Sequence, residues 1–290
     1  MDEGVRWEKR LLARALSATG VSRAMLEAQS LLHRGDYIRV VNYHGTPPAD
    51  AASFERQVAW LAEHFAPVSA ASLARFFEEG AWRATKPGII VSFDDGLRTN
   101  HDVAAPILER YGLVGWFFVP VGFVDAPASE QTAFAEGHQI RVDHAYADGR
   151  VAMSWDELRA LSARHVVGCH TRTHRRLART VPPSDLEDEI IRARADLAAA
   201  LGRAVDAFCW VGGEESSYSA EAARVVRRAG YRFGFMTNNA PLRPGDDPLH
   251  IQRTNLESAW SLDVLRFQLS GLMDVAYLPK RRRVNRLTRR

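Results

Sequence analysis

Only two cysteines, Cys169 and Cys209, occur in 290 residues, too few for the disulfide framework of a small secreted domain. Both lie in apolar, strand-like stretches, where a free thiol behaves as a small buried hydrophobe. Strand alternation is expected to turn Cys169 away from its neighbour His170. No apolar run approaches the roughly 20 residues that a membrane-spanning helix requires. The opening MDEGVRWEKRLLARALSATG is charged throughout and lacks the apolar core of a secretory signal. Together these absences lead to the expectation of a cytoplasmic protein. Basic patches interleaved with aromatic residues are missing as well, which argues against a nucleic-acid partner. The remaining composition, 46% apolar and 25% charged, is that of a globular chain able to bury one large core.

Charge is unevenly spread. The last stretch, KRRRVNRLTRR from Lys280, holds seven positive charges and no negative ones, so without it the net charge of +3 becomes −4. Such a run reads as a solvated, disordered end. Its sharper reading is peripheral contact with an anionic membrane, which would place the protein at the inner membrane face.

Chemistry concentrates in two places. In PGIIVSFDDGLRTN, residues 87–100, the apolar run Ile89, Ile90, Val91, Phe93 reads as a strand buried on both faces. It ends in adjacent carboxylates, Asp94 and Asp95, followed by Gly96. Burying carboxylates is costly unless they are paired, hydrogen-bonded or bound to a metal. Adjacent side chains at a strand end point in different directions, so one carboxylate can hold a cation while the other moves a proton. By itself the pattern also fits an ordinary Asp-Gly turn. The second cluster, VVGCHTRTH at 166–174, is another strand-like run ending in His170 and His174. Imidazole together with carboxylate suits a borderline divalent cation, zinc first, with cobalt, nickel or iron as alternatives.

SFDDG followed by HTRTH resembles the polysaccharide deacetylases, the NodB-homology or carbohydrate esterase family 4 group. The resemblance covers roughly 37–255 and extends to VNYHGTP, SFERQVAWLAEHF and MSWDELRAL. It implies an irregular α/β fold, a (β/α) barrel of about seven parallel strands. It also implies that Asp95, His170 and His174 hold the metal and that Asp94 is the catalytic base. Two segments depart from the family pattern. Where its third motif carries an arginine and a proline, this chain reads CWVGG, residues 209–213. Where its fifth motif carries an L-x-H histidine, this chain reads PLHIQR, with His250 one step out of register. His250 and His44 are therefore the candidate proton donors.

Helix and strand patterns alternate in the manner of parallel pairing. Helices are expected over 5–33, from an N-cap at Ser53 to Phe65, and over 72–78, 100–111, 154–164, 184–201 and 218–229. Strands are expected at 37–43, 66–69, 115–119, 208–211, 233–237 and 249–252. Residues 121–150 lack periodicity and read as an inserted loop near the substrate. A last helix is expected in 262–279. The division is thus a helical extension at 1–36, a barrel at 37–260, and a helix with a basic tail at 261–290. The activity expected is metal-dependent removal of an N-acetyl or other N-acyl group from an amino-sugar-containing biosynthetic intermediate. The alternative is a non-catalytic carbohydrate-binding protein on a deacetylase scaffold.

Overall fold

The structure is a computed structural model that describes residues 24–26 and 35–289. Strands β1 (Ile38–Tyr43), β3 (Gly88–Phe93) and β4 (Gly115–Val119) are buried along their whole length. Their near-continuous apolar sequences are what a parallel strand covered on both faces demands. With β2 (Ala66–Pro67), β5 (Val166–Cys169), β6 (Ala207–Cys209), β7 (Phe233–Met236), β8 (Ile251–Gln252) and β9 (Thr254–Asn255) they form one parallel sheet. Its order is β8-β7-β6-β5-β4-β3-β1-β9, with β2 paired to β3 off this path. Eight strands along the path is one more than expected. The extra one arises because β8 and β9 are halves of one short segment, parted at Arg253. The first half pairs with β7 (Phe235 opposite Ile251) and the second with β1 (Val41 opposite Thr254), so this segment closes the barrel.

Side-chain alternation sorts the strands into two layers. Ile38, Val40, Ile90, Trp116, Phe118, Phe235 and Ile251 fill the lumen. Val41, Tyr43, Val91, Phe93, Phe117, Val119 and Cys169 face the surrounding helices, so Cys169 does turn away from the histidines. Gly168 has a steric reason: a Cβ there would sit 2.6 Å from the Phe118 ring. Each large side chain buried in these layers contributes roughly 1.5–3 kcal/mol of apolar transfer.

The helices follow in order: α1 (Ala51–His64), α2 (Ala70–Glu79), α3 (Ala105–Arg110), α4 (Val121–Asp125), α5 (Ala128–Gly137), α6 (Trp155–Leu161), α7 (Pro183–Glu187), α8 (Ala193–Leu201), α9 (Ala220–Arg228), α10 (Leu262–Leu269), α11 (Leu272–Ala276) and α12 (Leu278–Thr288). Short π-helical turns, Asn100–Ala104 and Asp188–Arg192, lead into α3 and join α7 to α8. Ser154 caps α6 in a reciprocal box with Glu157, and Gly202 ends α8 at φ 65°.

Three expectations need correction. Ser53 lies inside α1 rather than at its cap, and its hydroxyl donates to the carbonyl of Ser258. Residues 121–137 are mostly the helices α4 and α5, which escaped detection because α5 buries only Gln131 and Ala135 and so shows no apolar stripe. Only 138–150 remain irregular. The basic end is not a disordered tail: α12 buries Val284 and Thr288, and Val284 joins the same apolar core as Phe93 and Val119. The helical extension expected over 5–33 lies outside the described residues, except that 24–26 are helical. No helix among the described residues is long and apolar enough to cross a membrane.

Docking of α12 can be measured. Val284→Ala is expected to lower stability by about 2 kcal/mol in urea denaturation, the cost of an aliphatic truncation in a packed core. An unchanged midpoint would mean that the helix contributes nothing to the fold.

Candidate active site

At the C-terminal ends of the strands the lumen changes from apolar to charged. On β3 the alternation that directs Ile90 inward carries on through Ser92 to Asp94. Asp94 is 3% exposed and meets Arg253 in a two-pronged ion pair, Nη1 to Oδ1 and Nη2 to Oδ2, each 2.7 Å. Arg253, 1% exposed, also donates to Asn42 Oδ1 at 2.8 Å and to Thr237 Oγ1 at 3.2 Å. Its guanidinium carbon lies 5.6 Å from the centre of the Phe118 ring, on the apolar fill of the lumen. Burial by itself would raise the pKa of Asp94. The Arg253 charge outweighs it and holds the carboxyl far below the usual carboxylate range. On the other side, the Cys209 thiol donates to Asp94 Oδ1 at 3.5 Å, and burial pushes that thiol well above its usual pKa.

Asp95 faces a different set of groups. It takes φ 73°, a left-handed conformation uncommon outside glycine; Thr171 and His174 do the same at φ 65° and 56°. These bends bring Asp95 Oδ1 to 3.1 Å from His174 Nε2 and 3.6 Å from His170 Nε2. The opposite ring nitrogens face carbonyls: His170 Nδ1 lies 3.0 Å from the Cys209 carbonyl, and His174 Nδ1 lies 2.7 Å from that of His138. A carbonyl only accepts, so both Nδ1 atoms carry protons, and a neutral imidazole then aims its Nε2 lone pair at Asp95. Burial pulls the pKa of His170 down to about 4, which keeps that ring neutral. Asp95 Oδ1 is buried and makes no hydrogen bond of acceptable geometry. Two nitrogens and an unpartnered carboxylate oxygen, all within 4.8 Å of one another, suit a divalent cation. The donor set fits that group.

These residues floor a cavity of about 580 Å³, a size typical of small-ligand sites. His44 lines it, together with Gln139, Arg141, Val142 and Asp143 of the irregular 138–150 stretch. That part of the inserted segment does reach the site. His250 does not. It is buried at the far end of β8, with Nε2 2.8 Å from Thr288 Oγ1 and Nδ1 2.7 Å from Asp247 Oδ2, and takes no part in lining the cavity. Its chemistry is spent holding α12. The CWVGG segment does contribute a wall, through Trp210, Val211, Gly212 and Gly213.

A family profile described as Polysaccharide deacetylase matches residues 83–234, just over half of the chain. The chain belongs to the polysaccharide deacetylase family. Solved structures agree on the fold. A Streptococcus pyogenes deacetylase, PplD, in complex with acetate, superposes with a TM-score of 0.65 at 17% identity, covering 80% of this chain and 98% of that one. A de-N-acetylase from Aggregatibacter actinomycetemcomitans gives 0.63 at 17% identity, over 80% of this chain and 100% of that one. IcaB from Ammonifex degensii gives 0.57 at 22% identity, over 82% and 97%. Comparison with curated protein sequences finds no match.

Sequence reasoning missed Arg253 in this polysaccharide deacetylase family member. The arginine absent from CWVGG is replaced, at Asp94, by one from a different strand end. The signal was present in HIQRTN, where an arginine interrupts a short strand, and a charge so placed needs a buried partner. Removing that partner has a measurable cost. Arg253→Met is expected to destabilise the fold by about 3–5 kcal/mol in urea denaturation, because it strands the buried Asp94 charge. Arg253→Met combined with Asp94→Asn should recover part of this loss. If the double variant were as unstable as the sum of the two single ones, the pair would not be coupled.

Proposed function

We propose that this chain is a metal-dependent hydrolase that removes an N-acetyl, or related N-acyl, group from an amino-sugar-containing substrate. The observation that carries the reading is the pairing of two differently dressed carboxylates. Asp95 faces two imidazole Nε2 atoms, while Asp94, next in sequence, is held by Arg253.

Asp95, His170 and His174 would hold the cation. When bound, a divalent cation supplies a Lewis acid that polarises the amide carbonyl and acidifies a water. Asp94 would take the proton of the attacking water. Its bonds to Arg253 make it a weak base and fix the direction from which it takes the proton. The tetrahedral species collapses by breaking the carbon–nitrogen bond, and the nitrogen must gain a proton to leave as an amine. His44, which lines the cavity, would donate it. Acetate and a free amine are the products. Asp50, Asp143, Glu214 and Glu257 also line the cavity, a carboxylate-rich wall compatible with an ammonium product.

Zinc suits a site of one carboxylate and two imidazoles, with cobalt, nickel and iron as alternatives. The test combines elemental analysis with acetate release across a panel of N-acyl sugars. Asp95→Ala and His174→Ala are expected to lose both bound metal and acetate release. Asp94→Asn is expected to keep its metal while acetate release falls by roughly 10²–10⁴-fold, the usual worth of a general base. Full activity in metal-stripped Asp95→Ala would sink the reading. Tight saccharide binding without any acetate release would favour the carbohydrate-binding alternative.

A further inference from the structure

The last two helices carry a surface that the chemistry above does not use. α11 and α12 run on almost as one helix: the Tyr277 amide donates to the Met273 carbonyl and the Arg281 amide to the Tyr277 carbonyl, both at 2.9 Å. Along this rod Leu272, Val275, Pro279, Arg282, Arg286 and Arg289 follow one another at steps of three and four, the spacing of a single helical face. All six are exposed, whereas Val284 and Thr288 are buried against the barrel. The outer face therefore points to solvent for about 27 Å, at 1.5 Å per residue.

Its two ends differ chemically. Leu272 and Val275 are the exposed large hydrophobic residues among the described residues, at 39% and 71%. Arg282, Arg286 and Arg289 follow, and no side-chain hydrogen bond or ion pair engages any of them among the described residues, whereas neighbouring Arg283 pairs with Glu215 at 2.7 Å. Beside them lies a cleft of about 580 Å³ lined by Arg179, Arg283, Arg286 and Leu287 together with Glu215 and Glu221. The rod also abuts the active-site cavity. Lys280 Nζ lies 3.9 Å from where a Cβ of Gly213 would be, and Gly213 lines that cavity.

We propose that this face docks on an anionic lipid bilayer and brings the cavity to substrate carried at the bilayer surface. An apolar pair next to a row of unpaired arginines matches an interface with acyl chains below and phosphates above. Nucleic acid would use the arginines and leave Leu272 and Val275 without a role. The docking stands on the surface alone, and the presentation of substrate rests on the deacetylase reading.

Co-sedimentation of the full chain with vesicles tests it, using equal parts phosphatidylglycerol and phosphatidylcholine against phosphatidylcholine alone. Binding is expected only to the anionic vesicles and is expected to disappear at 1 M salt. Each cationic side chain near such a surface contributes roughly fivefold, so Arg282→Glu/Arg286→Glu/Arg289→Glu should cut partitioning by more than about a hundredfold. Leu272→Ser/Val275→Ser should cut it by roughly tenfold. Should the glutamate variant fold poorly in thermal melts, Arg282→Gln/Arg286→Gln/Arg289→Gln carries the same test. Acetate release from a soluble N-acetyl sugar is expected to be unchanged in every variant. Partitioning equal to the parent chain, or tighter binding to duplex DNA at matched salt, would overturn the docking. Normal partitioning with no acetate release from any substrate would leave the docking intact and defeat the deacetylase reading instead.

Discussion

The ion pair between Asp94 and Arg253 is the constraint on which the top of the barrel depends. Two charges out of water each cost several kcal/mol, and good geometry only roughly repays that cost. Such a pair is thus poor evidence of stability sought for its own sake. Here it joins β3 to the segment between β8 and β9, the two halves of which pair with β7 and β1. The residue that interrupts the closing strand is the one that grips the carboxylate. Closure of the sheet and orientation of Asp94 follow from a single placement.

Next to it the same chain direction yields the opposite electrostatic result. Asp95 is as buried as Asp94, yet among the described residues its ion-pair partners are His170 and His174 and no arginine. It meets two imidazoles whose protons are already committed to backbone carbonyls. Burying the Asp95 carboxylate costs hydration, and the bends at Asp95, Thr171 and His174 that bring the three groups together are themselves strained. Both costs make sense if metal binding compensates them, since ligand energy gained in the native state adds to folding free energy.

The two clusters were legible in the sequence because each sits at the end of an apolar run, and parallel strands converge at one end of a barrel. Asp94 and Asp95 on β3 and His170 after β5 meet for that reason. Arg253 was illegible for a related reason: β8 and β9 are each two residues long, below the length at which periodicity speaks. His250 misled because its neighbours resemble a displaced motif, whereas its position at the buried start of β8 sends it to Thr288. The basic end misled through composition. Counting charges ignores that Val284 and Thr288 recur at a four-residue spacing, enough to seat one face of a helix even when most others are arginine.

Charge segregation then acquires a structural sense. The cavity gathers carboxylates: beyond Asp94 and Asp95, it is lined by Asp50, Asp143, Glu214 and Glu257, six acids against Arg141, Arg176 and Arg253. Arg281, Arg282, Arg283 and Arg286 lie on α12, whose inner face is anchored in the apolar core and whose outer face is exposed. Spread evenly over the surface, the two sets would neutralise each other within a Debye length of about 8–10 Å. Kept on separate elements, the acidic wall and the arginine row stay distinct, with Lys280 and Gly213 at the seam. On the docking proposed above, an anionic bilayer would be drawn to the rod rather than to the acidic wall of the cavity. A neutral N-acylated sugar feels neither field strongly. The amine left after hydrolysis would be cationic, and Asp50, Asp143, Glu214 and Glu257 are the cavity residues of opposite charge that would meet it.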